Sequence, residues 1–425
     1  MSENSVASVA TPLTGRASAA FWRYWAASAT STFGAGVTAV ALPLVALTVL
    51  EASNFEVGLL TAAGYAAVVI IGLPAGIIVQ RYELKALQVA MDTFRAVAVL
   101  TVPVAAWFDV LTLAHLLVVT FFVGLASNLF DVANATFLPR IVSREDLVAR
   151  NGLLSGTSAT TQLAGPAVGG VLVQAAGAVA GLIVDAASYV VSAVLLAGIP
   201  APAAPARPAR AESFFRQVAA GVRFVFGHPV MRPSCLAATA VNFANGAVFA
   251  ATPTFLVRTL GLPPSAVGLV LALDGLGTVV GAALTARLAR NLGGARAVLL
   301  AVVAAAVLAP AMPLARGGYA PYVFGLGLAG FGAGVCVLSV ITRTHRQTAS
   351  PPELLSRVVA SVRFVSWSAI PVGALCAGTV AELVDPRAGL VVGCAGAAVA
   401  VGVVWLSRIR RLREMTDGDP VASAA

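Results

Sequence analysis

The sequence predicts an all-α integral membrane protein, with twelve transmembrane helices in two six-helix bundles related by a parallel repeat. Three observations carry this expectation. Of 425 residues, 59% are hydrophobic and 11% charged, where a soluble domain carries roughly 25% charged residues. Apolar runs of about 18 residues or more recur along the whole chain, each long enough for a bilayer crossing. The chain also repeats itself at half its length. Within Leu138–Gly170 a short basic loop becomes an apolar helix that ends Gly165-Pro-Ala-Val-Gly-Gly170. Ser350-Pro-Pro-Glu-Leu354 answers Ser143-Arg-Glu-Asp-Leu147 at an offset of 207, and Ile370-Pro-Val-Gly-Ala374 answers Gly165-Pro-Ala-Val-Gly169 at an offset of 205. Val57-Gly58-Leu59 matches Val267-Gly268-Leu269 at 210, as Pro43 matches Pro253.

Taken in order, the first bundle (20–199) holds apolar segments at 21–50, 54–80, 86–108, 112–137, 151–174 and 178–199. The second (233–408) holds segments at 233–257, 264–288, 296–315, 319–341, 358–381 and 388–407. Tails occupy 1–19 and 409–425. The first segment is long enough to tilt or bend, and Pro43 offers a place to do so. Glycine and proline inside the others are tolerated because neighbouring helices re-satisfy the backbone. The connection 200–232 opens Pro-Ala-Pro-Ala-Ala-Pro-Ala-Arg-Pro, a stiff and extended composition. It then places Phe214, Phe215, Val218, Val222 and Val225 at helical spacing with Arg216 and Arg223 between them. That pattern predicts a helix lying on the membrane surface. Two six-helix halves in parallel repeat are the build of one large class of transporters.

The net charge of +9 does not call for nucleic acid. With the N-terminus cytoplasmic, 22 of the 27 basic residues fall in inner loops and tails, three (Arg258, Arg316, Arg387) fall outside, and Arg95 and Arg363 lie within segments. This is the positive-inside bias, and the inner loops would favour anionic lipid headgroups. Both termini are expected in the cytoplasm. The first 18 residues lack the basic-then-apolar pattern of a cleaved signal peptide. Cys235, Cys336, Cys376 and Cys394 sit in or beside apolar segments without metal-ligand spacing, so no metal is expected. Gly325-Leu-Gly-Leu-Ala-Gly330 matches a nucleotide-binding spacing, but it lies inside an apolar helix with no acid downstream. With no Gly-x-x-x-x-Gly-Lys-Ser/Thr loop either, no nucleotide cofactor is expected and transport would run on gradients. No paired carboxylates, histidine cluster or nucleophile–base spacing points to an enzyme.

Four stretches resemble the major facilitator superfamily, within it the drug-antiporter branch of macrolide-efflux and enterobactin-exporter-like proteins. Gly76-Ile-Ile-Val-Gln80-Arg81-Tyr-Glu-Leu-Lys85 is similar to the helix 2–3 signature Gly-x-x-x-Asp-Arg-x-Gly-Arg-Lys. Asp92-Thr-Phe-Arg95-Ala is similar to Asp-x-x-Arg-Ala. The opening stretch is similar to Leu-Pro-x-x-Val-x-x-x-x-Leu-x-x-x-Asn followed by Gly-Pro-x-x-Gly-Gly, and Phe215 to Pro229 to the inter-half helix. The likeness covers residues 20–410. Gln80 stands where the family has Asp, and Glu83 and Leu84 replace Gly and Arg. In the family that Asp caps the loop and pairs with basic groups, locking one conformation. The second-half copy, Gly281 to Arg290, is more degenerate, and no helix 4 arginine appears between 112 and 137. The resemblance implies that Gly165, Pro166, Gly169 and Gly170 form an exporter-type pivot; close packing alone explains small residues equally well.

Intramembrane acids are costly and functional by default. Asp274, about eleven residues into its segment, is the leading proton- or cation-recognition candidate, and Asp185 is the second. Asp131 with Asn128 and Asn134 at i−3 and i+3 forms a polar stripe for the cavity mouth or the following loop. Asn242 and Asn245 form a shorter stripe on a helix that lines the cavity in this superfamily. Asp92 and Arg95 are expected to pair structurally, and Arg363 needs a partner. His115, His228 and His345 are expected to be solvated at interfaces. The expected function is a monomeric, proton-coupled exporter of a small, mostly apolar organic molecule (drug, antibiotic or siderophore-like) in the bacterial inner membrane. An uptake transporter of the same fold, or a non-transporting ligand sensor, is the alternative.

Overall fold

The computed structural model describes residues 15–72, 74–142, 146–200 and 214–418. The first bundle comprises α1 (Gly15–Thr48), α2 (Asn54–Gly72), the short α3 (Ala75–Arg81), α4 (Leu84–Trp107), α5 (Leu113–Ile141), α6 (Leu147–Ala176) and α7 (Ala178–Ala197). The connector helix α8 (Phe214–Gly227) follows. The second bundle comprises α9 (Met231–Thr254), α10 (Pro264–Leu292), α11 (Gly294–Leu308), α12 (Ala311–Leu314), α13 (Ala320–Ala349), α14 (Pro352–Trp367), α15 (Ala369–Leu383) and α16 (Pro386–Leu406).

Among the described residues, eleven spans are long and apolar enough to cross a membrane, with α11–α12 and α14–α15 each forming one. The twelfth crossing is α6. Its 30 residues are sufficient, but Asn151, Ser155, Ser158 and Gln162 dilute its apolar character. Twelve crossings bring both termini to one end, called here the terminal end; the other is the far end.

Several predicted segments are broken or longer than expected. The second splits near Pro74, which cannot donate to the preceding turn. The ninth breaks at Ala309–Pro310, and the eleventh begins earlier and breaks at Ser368, two residues before Ile370-Pro371. Pro43 and Pro166, by contrast, lie within single helices. After Pro253, residues Phe255–Thr259 form one π-helical turn, a widening common at functional positions.

Each bundle has two apolar layers. Leu44, Leu60, Val99, Leu116 and Leu182 pack toward the far end of the first bundle, and Phe21, Tyr24, Leu87, Phe130 and Phe137 toward its terminal end. Val248, Phe255, Phe324 and Leu390, and Val241, Val298, Leu338 and Val404, do the same in the second. Lipid tails are as apolar as these side chains, so close backbone approach supplies the packing. The outer girdle is apolar and exposed, as at Val97, Trp107, Leu326 and Leu406.

The connector helix packs against the second bundle. Val225 of α8 is buried with Val358 and Val362 of α14 and Met231 and Cys235 of α9. Gly221 lets the α8 backbone meet the carbonyl of Arg357. The C-terminal end of the helix thus docks on the second bundle. The start of the helix at Phe214, Phe215 and Val218, and the proline-rich stretch before it, lie outside the described side chains.

Candidate functional site

The halves touch along two helix pairs at the far end. In α2 and α15, a methyl added at Gly58 would sit 3.0 Å from Gly378 Cα. In α6 and α10, one added at Gly170 would sit 2.9 Å from Gly268 Cα. Gly58 and Gly268 are the repeat-related glycines of the matching Val-Gly-Leu triplets, so one contact is used twice. Polar bonds lie over these seams. The π turn aims Arg258 at Ala52 O (2.5 Å) and Asn54 Oδ1 (3.1 Å). Glu382 accepts from Asn54 N at 2.9 Å, where the N-terminus of α2 favours a negative charge. Ser265 N donates to Gln174 Oε1 at 3.3 Å.

Toward the terminal end the halves part. A methyl at Gly152 or Gly156 of α6 would meet nothing within 4 Å among the described residues. Two chambers lie in the space below the seal. The far-end chamber, about 600 Å³, is lined by α1, α2, α4, α5 and the far halves of α6, α9 and α10. Its walls are mainly Val, Leu, Ala and Pro, with Tyr65, Thr120 and Phe249. Thr120 Oγ1 is buried and has no hydrogen-bond partner among the described residues. The terminal-end chamber, about 550 Å³, is more polar, with Ser155, Ser158, Asn245, Thr278, Ser339 and Arg343. Gln162, Asp274 and Gly275 line both.

Asp274 therefore stands at the junction. It makes no hydrogen bond or ion pair among the described residues, and it is the one charged side chain of the far-end chamber among them. Gly332 of α13 makes room for it: a methyl there would lie 2.6 Å from Asp274 Oδ1. Across the junction, Pro166 cannot bond the carbonyl of Gln162, and that carbonyl lies against Gly275, whose added methyl would be 3.1 Å away. The Gln162 amide donates to Ser158 Oγ at 3.2 Å.

The Gly-Pro-x-x-Gly-Gly stretch divides its contacts. Gly165 and Gly169 pack within the first bundle, against Gly36 and Val37 of α1, while Gly170 faces the other half. Pro166 lines the far-end chamber.

Asp92 and Arg95 form an ion pair buried in the first bundle. Ser192 of α7 donates to Asp92 Oδ2 at 2.6 Å, and Arg95 donates to Ser127 of α5 at 3.3 Å. The guanidinium lies 4.4 Å from the ring centre of Phe130 and 4.3 Å from that of Tyr189. The pair ties α4, α5 and α7 together. Asp185 is fully buried away from both chambers, accepting from Thr38 at 2.5 Å and from Ser188 at 3.4 Å. Thr38 itself lines the far-end chamber.

Along the polar stripe on α5, Asn128 is buried, Asn134 is half-buried and Asp131 is exposed. None of the three lines either chamber. Asp131 on α5 and Arg363 on α14 belong to opposite halves and form no ion pair with one another. Arg363 stacks 4.3 Å over Trp367, and its Nε has no hydrogen-bond partner among the described residues. Asn245 lines the terminal-end chamber, whereas Asn242 is half-buried and lines neither. Gly76, Gln80 and Arg81 lie on α3 and Lys85 near the start of α4; Arg81 is exposed and Lys85 half-buried. The surroundings of Gly76 and Gln80 lie outside the described side chains.

The histidine expectation is corrected at two positions. His228 and His345 are buried and meet edge to face at 5.7 Å, while His115 bonds Thr101 at 2.8 Å. Sequence reasoning also missed Tyr65, Thr120, Gln162, Gly332 and Arg343 in the chambers, and Asn54, Arg258, Gly378 and Glu382 at the seal. Gln162 carried a usable signal, a long polar side chain in the middle of a crossing helix. The repeated Val-Gly-Leu triplet was the signal for the seal.

Comparison with known proteins places this architecture. The chain matches the transmembrane secretion effector family over residues 8–424. It is 26% identical to the multidrug efflux pump Tap of Mycolicibacterium fortuitum over 91% of this chain and 95% of that protein. It is 24% identical to the enterobactin exporter EntS of Salmonella typhi over 92% of each. A further relative, the uncharacterized MFS-type transporter y4rN of Sinorhizobium fredii, is 28% identical over 60% of this chain, which spans 63% of that protein. Among solved structures, a point mutant of the nucleoside transporter NupG superposes with a TM-score of 0.79 at 11% identity, over 91% of this chain and 99% of that one. An inward-facing bacterial homologue of the iron transporter ferroportin gives 0.71 at 17% identity, over 91% and 98%. With its twelve-helix fold, paired bundles and central chambers, the chain belongs to the transmembrane secretion effector family of the major facilitator superfamily, and is a multi-pass membrane transporter rather than an enzyme.

Proposed function

We propose that the protein is a secondary active exporter that moves a small, mostly apolar organic molecule out across the bacterial inner membrane by alternating access. The observation that carries the reading is the central apolar chamber. It is sealed by glycine seams at the far end, and one unpaired carboxylate, Asp274, stands where the two halves meet. Its volume of about 600 Å³ falls within the range of small-molecule sites, roughly 300–1,000 Å³. The terminal end is cytoplasmic by the arginine bias, so the site loads from the cytoplasm and discharges once the far end opens. The exporters among the relatives support the direction.

The coupling is proton antiport. Asp274 exchanges a proton arriving from outside for the substrate, because an unpaired carboxylate within the membrane is stabilised either by protonation or by a cationic partner. One chain carries two bundles and a complete cavity, so the monomer is the working unit, with its basic terminal end against anionic headgroups. Asp274→Asn fixes the group as neutral. In everted vesicles it should abolish ΔpH-driven uptake of substrate while the protein still inserts and keeps its thermal stability. Unchanged ΔpH-driven transport would overturn the assignment of Asp274.

A further inference from the structure

The two chambers share a wall of three residues and differ in chemistry, and this carries an inference about the ligand. We infer that the substrate is a three-part amphiphile: an apolar body for the far-end chamber, a basic nitrogen at Asp274, and a polyhydroxylated head for the terminal-end chamber. The inference rests on the reading of these chambers as the transport site.

The far-end chamber has mainly aliphatic walls and no basic side chain among the described residues. A group there gains from removal of apolar surface from water, at roughly 25 cal/mol per Å². A ligand anion would meet the Asp274 charge with no cation beside it. The basic side chain of the terminal-end chamber, Arg343, is eleven residues along α13 from Gly332, the glycine that abuts Asp274. At 1.5 Å per residue its backbone lies about 16 Å along the helix from Gly332, and Arg343 makes no ion pair with Asp274. Asp274 thus has an open place for a cation, and a protonated amine of the ligand fills it. A carboxylate is satisfied there by a charge-assisted hydrogen bond.

Beyond the junction the lining changes character. Ser155 and Ser158 of α6 face Ser339 of α13 across a chamber of about 550 Å³, with Asn245 from α9. No hydrogen bond occupies the Asn245 side chain or the Ser339 hydroxyl among the described residues. Serine and amide groups donate and accept from nearly the same place. They match vicinal hydroxyls, each of which does the same. A purely lipophilic amine would leave these groups to water, and a neutral glycoside would leave Asp274 unpaired. A molecule with all three parts satisfies both chambers and the junction together.

Three probes separate the parts. Octylamine has the tail and the cation. Octyl β-D-glucoside has the tail and the hydroxyls. N-octyl-D-glucamine has the tail, a basic nitrogen and a polyol in that order. Binding is measured on purified full-length protein in lipid nanodiscs, with partition into empty discs subtracted. N-octyl-D-glucamine should bind about tenfold more tightly than either of the others, since one charge-assisted bond or a pair of neutral ones is each worth about that much. Asp274→Asn should bring it down to the affinity of the glucoside. The double substitution Ser158→Ala with Ser339→Ala should bring it down to that of octylamine. Octylamine binding as tightly as the glucamine would overturn the polyol part, and the glucoside doing so would overturn the cation part. Should a variant lose thermal stability, the ranking of the three probes on the unaltered protein still decides. Efflux without this ranking sinks the inference alone, whereas the ranking without efflux sinks the exporter reading alone.

Discussion

The buried Asp92–Arg95 pair and the lone Asp274 are charges of opposite kinds. Asp92 and Arg95 have their partners: Ser192, Ser127 and two aromatic faces complete the pair. Removing one member leaves the other uncompensated in the bundle core, which costs about 3–5 kcal/mol. Arg95→Met should therefore lower the midpoint of thermal inactivation far more than Asp92→Asn combined with Arg95→Met, measured on the purified protein. A single substitution no worse than the double would mean that the pair holds little together. Asp274, with no hydrogen bond or ion pair among the described residues, should behave in reverse, its loss sparing stability and abolishing transport. The Asp-x-x-Arg spacing made the first pair legible, because residues three apart face one another on a helix. Depth within the segment ranked Asp274 above Asp185, but nothing local showed which of them is held by a partner. Both are acids in apolar segments, and only the packing of α1 shows that Asp185 is held by Thr38 while Asp274 faces open space.

At the scale of helices, the α6 turn behaves as two surfaces. Gly165 and Gly169 fasten α1 within one bundle, and Gly170 touches α10 in the other. Leucine at any of them overpacks by roughly 1–3 kcal/mol. At Gly170 that falls on the seam between halves and is comparable to the few kcal/mol that separate two conformers. Gly170→Leu should therefore lengthen the distance between spin labels at Val49 and Val384, both exposed at the far end. Gly165→Leu should leave the distance as it was and reduce stability instead. Equal distances in both would reject a hinge role for Gly170. At the opposite end, Gln80 carries no charge, and Asp131 on α5 and Arg363 on α14 are an acid and a base on opposite halves. Asp131→Arg should slow transport several-fold by opposing closure there, and adding Arg363→Asp should restore it. Failure of the second change to rescue the first would show that the two never meet. The crossing helices and the repeat were readable from apolar length and half-chain offset. The breaks at Pro74, Pro310 and Ser368, and the docking of α8, were not, because they depend on what each helix meets.

For the whole molecule, the two halves are copies that close on one another through the same glycine contact, Gly58 with Gly378 and Gly268 with Gly170. Between them lie two adjoining chambers, one apolar toward the far end and one polar toward the terminal end. The offset triplets announced the symmetry of the seal. The asymmetry of the chambers was hidden, because Gln162, Ser339 and Arg343 reach one space from separate helices far apart in sequence. Export rests on those chambers loading from the cytoplasm and emptying outward under a proton gradient. The most direct measurement is the cellular accumulation of a panel of lipophilic amines, with and without the protein and with and without an uncoupler. Lower accumulation in cells that hold the protein, abolished by the uncoupler and by Asp274→Asn, is the predicted result. Accumulation that is equal in both cells, or higher where the protein is present, would contradict the account.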